Sequence, residues 1–348
     1  MDRTSLEVLV AMPVEAAGLA RVKKLAGVAD VACIEPFGPD DEVPAGMLRH
    51  RTVLFADFAP RNLAEMTALR WIQLGSAGYE QMVGLPLREM GVRLTNASGV
   101  NDVAIAEWCV LMMLAFERDL AAVLSLQARH VWDRPARFQS ELRGRRVGIV
   151  GYGNIGRETA RLCAALGLEV WAMNRGPIGP RPHRYGPPGT GDPTGSLPAR
   201  RFDVGQVAEF LPVLDYLIVT VALTPGSRHL LGERELNLLP PSAVLLNPSR
   251  AQVVEEQALL RALRTGRIAG AALDSHYREP LPPDDPFWDL PNVVITPHIS
   301  GSGASPHYRR RLWELFAVNL EHFARGEPLL NEIVWSDLEP LPATGTTS

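Results

Sequence analysis

Short apolar runs recur along the chain, and between them the apolar positions return every three or four residues. Runs at 6–11, 31–35, 52–55, 71–74 and 92–95 predict five strands. Runs at 146–150, 169–173, 215–221, 243–247, 268–274 and 293–296 predict six more. Strands alternating with helical patterns imply an α/β protein whose strands run parallel, with helices covering both faces of each sheet. Two such series make two doubly wound domains. Residues 103–116 predict a helix that is apolar nearly all round, which must be covered within the subunit or by another subunit. The helical period returns over 308–324, a segment expected to pack back on the first domain. The division that follows is 1–102 plus 303–348 for one domain and 103–302 for the other, with two crossings between them and a ligand cleft expected there.

One segment breaks the pattern. Of the 25 residues from 176 to 200, 13 are Gly or Pro. They exclude regular helix and strand, and the expectation is a disordered or plain surface loop rather than a functional lid.

Composition narrows the class. At 348 residues the chain exceeds one ordinary core and suits two domains. A hydrophobic share of 46% with 21% charged residues is that of a globular protein. The formal net charge of −4 gives no basic excess for nucleic acid. The most apolar later stretch, 108–116, is too short to span a bilayer. The apolar start at 6–12 contains Glu7, is followed by Glu15 and lacks a basic leader, so it reads as a strand and not a signal peptide. Cys33, Cys109 and Cys163 are odd in number and widely spaced. They suggest neither a disulfide framework nor a zinc site, which points to the cytoplasm and to no metal.

The chemistry begins at Gly151-Tyr152-Gly153-Asn154-Ile155-Gly156, a G-x-G-x-x-G pattern. Glycine-rich turns are common, so its weight lies in context: a strand leads in, a helix with Ile155, Leu162, Cys163 and Leu166 leads out, and Gly167 stands where a helix ends. Gly151 permits a tight turn, Gly153 lets the backbone approach a pyrophosphate, and Gly156 lets the helix pack close to the strand. The helix N-terminus presents free N–H groups to phosphates. The turn residues Asn154 and Ile155 are expected to lie against the cofactor.

Three further segments end strands: Leu246-Asn247-Pro248-Ser249-Arg250, then Ala272-Leu273-Asp274 with Glu279-Pro280-Leu281-Pro282 after it, then Thr296-Pro297-His298-Ile299-Ser300-Gly301. With the glycine motif, their order and spacing resemble the D-isomer-specific 2-hydroxyacid dehydrogenases, which include glyoxylate and hydroxypyruvate reductases. The resemblance runs from about Arg70 to Glu327. Ala222 stands where the family usually has proline and Ala251 where it usually has glycine; neither change removes a chemical group. The resemblance implies a Rossmann NAD(P)-binding domain inserted in a flavodoxin-like substrate domain. It implies substrate-carboxylate binding by Ser76, Ala77 and Gly78, cofactor contacts from Asn247, Ser249, Asp274 and Gly301, and a homodimer.

Reducing a 2-keto acid needs a hydride, a proton and an anchor for the carboxylate. His298 suits the proton donor, because a histidine titrates near working pH. By resemblance Glu279 pairs with it, and a neighbouring carboxylate favours the imidazolium. Arg250 suits the anchor, since its planar fork matches a carboxylate. Taken singly, each of these is most often an ordinary surface residue; together, in family order beside a dinucleotide motif, they are not. His276, close to Glu279, is the decoy: it precedes no strand and lacks the Thr-Pro-His-Ile-Ser-Gly setting. Arg250, Asp274 and His298 all follow strands, where the crevice of a parallel sheet lies.

The second strand of the nucleotide fold ends in Met173-Asn174-Arg175. An acidic residue in the place of Asn174 would bind ribose hydroxyls and repel a 2′-phosphate. Asn174 is neutral and Arg175 can pair with that phosphate, so NADP(H) is favoured over NAD(H), with Arg181 and Arg184 adding positive field. Two rival readings share the fold. One is an NAD(H)-binding corepressor. The other is a phosphite- or formate-type dehydrogenase, although formate oxidisers usually carry Gln in the place of Glu279.

Overall fold

The computed structural model describes residues 5–134 and 140–334; the outer ends of the expected first domain, 1–4 and 335–348, lie outside the described residues. Contacts divide the chain into two compact units. One holds the described residues up to Asn101, the short segment Pro182–Pro187 and the residues from Gly303 on. The other holds Asp102–Arg181 and Pro188–Ser302. The chain therefore crosses between units four times rather than twice, because part of the Gly/Pro-rich segment belongs to the first unit.

The first unit is built on a parallel sheet of β1 (Leu6–Ala11), β2 (Val28–Cys33), β3 (Val53–Ala56), β4 (Trp71–Gln73) and β5 (Arg93–Thr95), in the order β2-β1-β3-β4-β5. This is the flavodoxin-like order, with its reversal between β1 and β3. Short continuous runs such as Val53–Ala56 are buried along their whole length, as a parallel sheet covered on both faces demands. The helix Pro306–Arg325 closes one face: Phe316 stacks on Phe55 at 4.3 Å and on Trp71 at 5.6 Å. Each such ring contact adds about 0.5–1.5 kcal/mol beyond the area it buries.

The second unit is a seven-stranded parallel sheet of β6 (Arg146–Val150), β7 (Glu169–Asn174), β8 (Arg200–Asp203), β9 (Tyr216–Val219), β10 (Val244–Asn247), β11 (Gly270–Leu273) and β12 (Val293–Ile295). Its order is β12-β11-β10-β9-β6-β7-β8, so the direction of winding reverses between β6 and β9. That is the doubly wound Rossmann pattern. β8 and the helix Leu120–Ala128 are not among the predicted elements. β8 alternates Arg200-Arg201-Phe202-Asp203 and buries only Phe202, so it carries no apolar run. The helix Leu120–Ala128 follows Asp102–Glu117 after a sharp turn at Asp119, whose φ is +43°. The strand predicted at 31–35 lies at Val28–Cys33, since pairing with β1 sets its register.

The Gly/Pro-rich segment has no helix or strand up to β8, but it is neither disordered nor a plain loop, and here the sequence expectation is corrected. The helix Asn154–Ala165 buries Arg157 and Glu158, and buried charged groups need partners. Arg161 on the same helix pairs with Glu158 at 2.6 Å, and the segment supplies further partners. Arg157 donates to Gly179 O at 2.7 Å, to Tyr152 O at 3.3 Å and to Asp192 O. Glu158 accepts from Gly191 N at 2.6 Å, and Tyr152 donates its hydroxyl to Asp192 at 2.8 Å. Farther along, within the first unit, Tyr185 N donates to Asn331 Oδ1 at 3.1 Å and Asn331 N to His183 O at 2.9 Å.

Candidate active site

The glycine loop leaves β6 at the reversal of strand order. Gly151 has a φ of +92°, and a Cβ there would lie 2.6 Å from Val221 Cγ1. A Cβ on Gly156 would meet Gly151 O at 2.3 Å, so no larger residue lets the helix sit this close to the strand. Gly153 caps the helix Asn154–Ala165 with no side-chain hydrogen bond to the first turn, and Gly167 ends it with a φ of +84°. A recess of about 240 Å³, lined mainly by Val150, Met173, Val204, Val207, Leu211 and Leu230 together with Arg234 and Glu235, lies beside the ends of β6 and β7. Amides without a side-chain cap beside a mainly apolar recess fit the pyrophosphate and the adenine of a dinucleotide.

At the end of β7, Asn174 joins these parts: its Oδ1 accepts from Tyr152 N at 3.3 Å and its Nδ2 donates to Gly176 O at 2.9 Å. Arg175 is exposed next to it. Asn174 also pairs with Asp203 across β7 and β8, which puts an acidic residue at this strand end that the sequence did not reveal. Asp203 instead caps its own turn, accepting from Gly205 N at 3.5 Å.

After β10, Asn247 shapes the turn that carries Arg250. Its Oδ1 accepts from Ser249 N at 3.0 Å and Ser249 Oγ at 2.8 Å, while its Nδ2 donates to Arg250 O at 3.0 Å. Arg250 is partly exposed, with Nη1 donating to Ser249 O at 3.0 Å.

His298 follows β12. Its Nδ1 lies 2.9 Å from Glu279 Oε2, and both side chains are partly exposed. An ionised carboxylate only accepts, so Nδ1–H donates and Nε2 is left to exchange a proton. Burial alone would raise the Glu279 carboxyl. Hydrogen bonds from His298 and from the His276 amide, with the charge of both rings, outweigh it and hold the group below the ordinary carboxylate range. His276, the decoy, is buried; its Nε2 is 2.9 Å from Thr296 O and its amide donates to Glu279 Oε1 at 3.0 Å. It is a support for the pair, a task that only the folded chain reveals.

His298 has a φ of +54°, a left-handed backbone that costs a non-glycine residue energy and persists only where the surroundings enforce it. Asp274 supplies the enforcement. Its carboxylate, fully buried, accepts from Thr296 Oγ1 at 2.5 Å, Ile299 N at 2.9 Å and Ser300 N at 3.0 Å. Nothing local in the sequence marks this clamp; the only signal is an Asp at a strand end among apolar residues. Gly301 directly follows the clamped loop.

In the first unit, the loop after β4 has its carbonyls turned inward. Gly75 O accepts from Tyr308 Oη at 2.7 Å, Ser76 O from Ala97 N at 2.8 Å, Ala77 O from Asn96 Nδ2 at 2.7 Å and Gly78 O from Ser76 Oγ at 2.8 Å. In a planar trans peptide the next N–H points opposite to the carbonyl. The amides of Ser76, Ala77 and Gly78 therefore point away from the groups that hold the preceding carbonyls.

A Rossmann unit with a glycine loop at its switch point, and a His–Glu pair at the carboxyl end of the same sheet, describes a dinucleotide-binding oxidoreductase. Residues 110–300 match the model of the D-isomer specific 2-hydroxyacid dehydrogenase, NAD binding domain, and the chain belongs to that family. It is 30% identical over 269 residues to a glyoxylate reductase of Korarchaeum cryptofilum, covering 74% of each chain. Among solved structures it resembles a 2-hydroxyacid dehydrogenase from Ketogulonicigenium vulgare Y25, with 28% identity, a TM-score of 0.70 and coverage of 95% and 99%. It also resembles an NADPH-dependent glyoxylate/hydroxypyruvate reductase from Sinorhizobium meliloti in complex with NADP and sulfate, with 25% identity, a TM-score of 0.74 and the same coverage. Among the described residues no helix is long and apolar enough to cross a membrane, and no cluster of His, Cys, Asp and Glu is arranged to hold a metal ion.

Proposed function

We propose that this protein reduces a small 2-keto acid, of the size of glyoxylate or hydroxypyruvate, to the D-2-hydroxy acid, with NADP(H) preferred over NAD(H). The observation that carries this reading is the 2.9 Å pair of His298 and Glu279 at the end of β12. When bound, the nicotinamide exchanges a hydride with C2 of the substrate. His298 Nε2 gives the carbonyl oxygen its proton in reduction and takes it back in oxidation. Glu279 fixes the tautomer by accepting from Nδ1. Arg250 grips the carboxylate and polarises the keto oxygen; by family resemblance Ser76, Ala77 and Gly78 form the substrate-carboxylate loop of their unit. Asp274 holds the loop that presents His298 and, by family resemblance, contacts the nicotinamide carboxamide. The unit containing β1–β5 serves as the substrate domain and the unit containing β6–β12 as the cofactor domain.

Cofactor preference rests on the neutral Asn174 and the exposed Arg175 at the end of β7. Assembly rests on an apolar surface. Leu111, Leu114, Leu120, Val123, Leu124 and Trp132 are exposed along two consecutive helices and the turn after them. A second copy of the chain covers this surface in a homodimer, since a patch of this kind is rarely left to water.

The test is consumption of NADPH and NADH against a panel of 2-keto acids, with phosphite and formate included. Turnover of glyoxylate or hydroxypyruvate supports the reading. Dinucleotide binding with no turnover of any acid would instead favour a binding protein on the same fold.

A further inference from the structure

Arg181 belongs to the Gly/Pro-rich segment, yet its guanidinium sits at the start of the helix Asn154–Ala165. Nη1 is 3.3 Å from Asn154 Oδ1 and 3.5 Å from the point a Cβ on Gly153 would occupy. The helix cap, Gly153, brings no side chain to the first turn. A helix N-terminus carries partial positive charge and presents free N–H groups.

The chain fixes Arg181 at this place. Pro180 and Pro182 flank Arg181; each fixes its own φ and restrains the residue before it to extended backbone. On one side of Arg181 the segment is fastened by Gly179 O, which accepts from Arg157 Nη2 at 2.7 Å. On the other side Asp192 fastens it. Asp192 accepts from the Tyr152 hydroxyl at 2.8 Å and from the amides of Ser196 and Leu197 at 3.0 Å each. Tyr152 lies inside the glycine loop, so the segment that carries Arg181 is tied to the same loop on which the phosphates are read. The Arg181 guanidinium thus stands beside the Gly153 backbone and the helix start, within reach of a negative group bound on the loop's amides.

We infer that Arg181 is a ligand of the cofactor's pyrophosphate, adding a charged bond to those offered by the amides of the glycine loop. This rests on the reading of that loop as the dinucleotide site. The pyrophosphate is common to NAD(H) and NADP(H), so Arg181 sets affinity for both, whereas Arg175 sets the choice between them.

Binding is measured by titrating wild type, Arg181→Gln and Arg181→Lys with NADPH, NADH and ADP-ribose, following tryptophan fluorescence and the rise in melting temperature. Arg181→Gln weakens all three ligands by the same factor, about ten-fold or more, the scale of a lost hydrogen bond between charged groups. Arg181→Lys keeps the charge and recovers part of the loss. The wild-type affinity for ADP-ribose, which has no 2′-phosphate, falls more steeply with added salt than that of Arg181→Gln. Should the Gln variant not fold, the Lys variant decides: it binds all three ligands more weakly than wild type in equal measure. Unchanged binding in a folded variant overturns the assignment, as does a loss confined to NADPH, which moves Arg181 to the 2′-phosphate. If wild type binds none of the three, the cofactor reading falls and Arg181 falls with it. Binding by wild type that the variants share equally overturns Arg181 alone.

Discussion

Asp274 controls the backbone around His298 without being its hydrogen-bond partner. Its carboxylate binds Thr296 on one side of the histidine and the amides of Ile299 and Ser300 on the other. The three bonds hold the ring's own residue in a left-handed conformation at φ +54°. Replacing Asp274 with Asn turns one acceptor into a donor that faces N–H or O–H groups. The expected cost is about 1–3 kcal/mol for buried donors left unpaired, a fall in Tm of several degrees, together with a lower kcat. A variant with normal melting and normal kcat would show that the clamp is dispensable.

His298→Gln is expected to lower kcat by about 10²-fold or more while dinucleotide titration stays close to wild type. Near-normal turnover removes His298 from the chemistry.

Glu279→Gln is read from the pH profile. In the folded protein the Glu279 carboxyl lies below its ordinary value. The pair therefore adds stability at pH values above the ordinary carboxylate range and loses it as pH falls through the lowered value. With Gln, that acid-side dependence of stability disappears, and the acid side of the activity profile changes with it. Superimposable profiles would mean that the 2.9 Å contact has no electrostatic role.

Arg250→Lys keeps the charge and loses the fork. The expected outcome is a large drop in kcat/KM for every accepted 2-keto acid, with cofactor binding intact. Full activity with Lys rules out bidentate anchoring.

Arg175→Ala is expected to lower kcat/KM for NADPH by about 1.5–3 kcal/mol, the scale of a charged hydrogen bond, and to leave NADH nearly unchanged. Equal losses for the two cofactors, or a wild-type preference for NADH, overturn the NADP(H) reading.

Leu124→Asp places a charge in the exposed apolar surface, where Leu124 is 54% and Trp132 92% exposed. Light scattering at micromolar concentration should give a dimer mass for wild type and a monomer mass for the variant. A wild-type monomer refutes the homodimer.

The sequence by itself determined what depends on neighbours along the chain. Apolar runs set eleven of the strands to within a few residues, and the glycine spacing located the turn at Gly151, Gly153 and Gly156, because steric limits on φ and on close approach act locally. Strand ends followed from the runs, and with them the places of Arg250, Asp274 and His298. The tertiary structure decided whatever is joined across distance. β8 shows only one buried residue and forms because β7 offers an edge to pair with. Asp274 meets residues 22 to 26 positions away, and Tyr152 meets Asp192 across 40. A run of Gly and Pro has no period to announce such partners. Parts of 176–200 are held by groups on the helix Asn154–Ala165, where Arg157 binds Gly179 O and Glu158 binds Gly191 N, and residues 183 and 185 are held by Asn331.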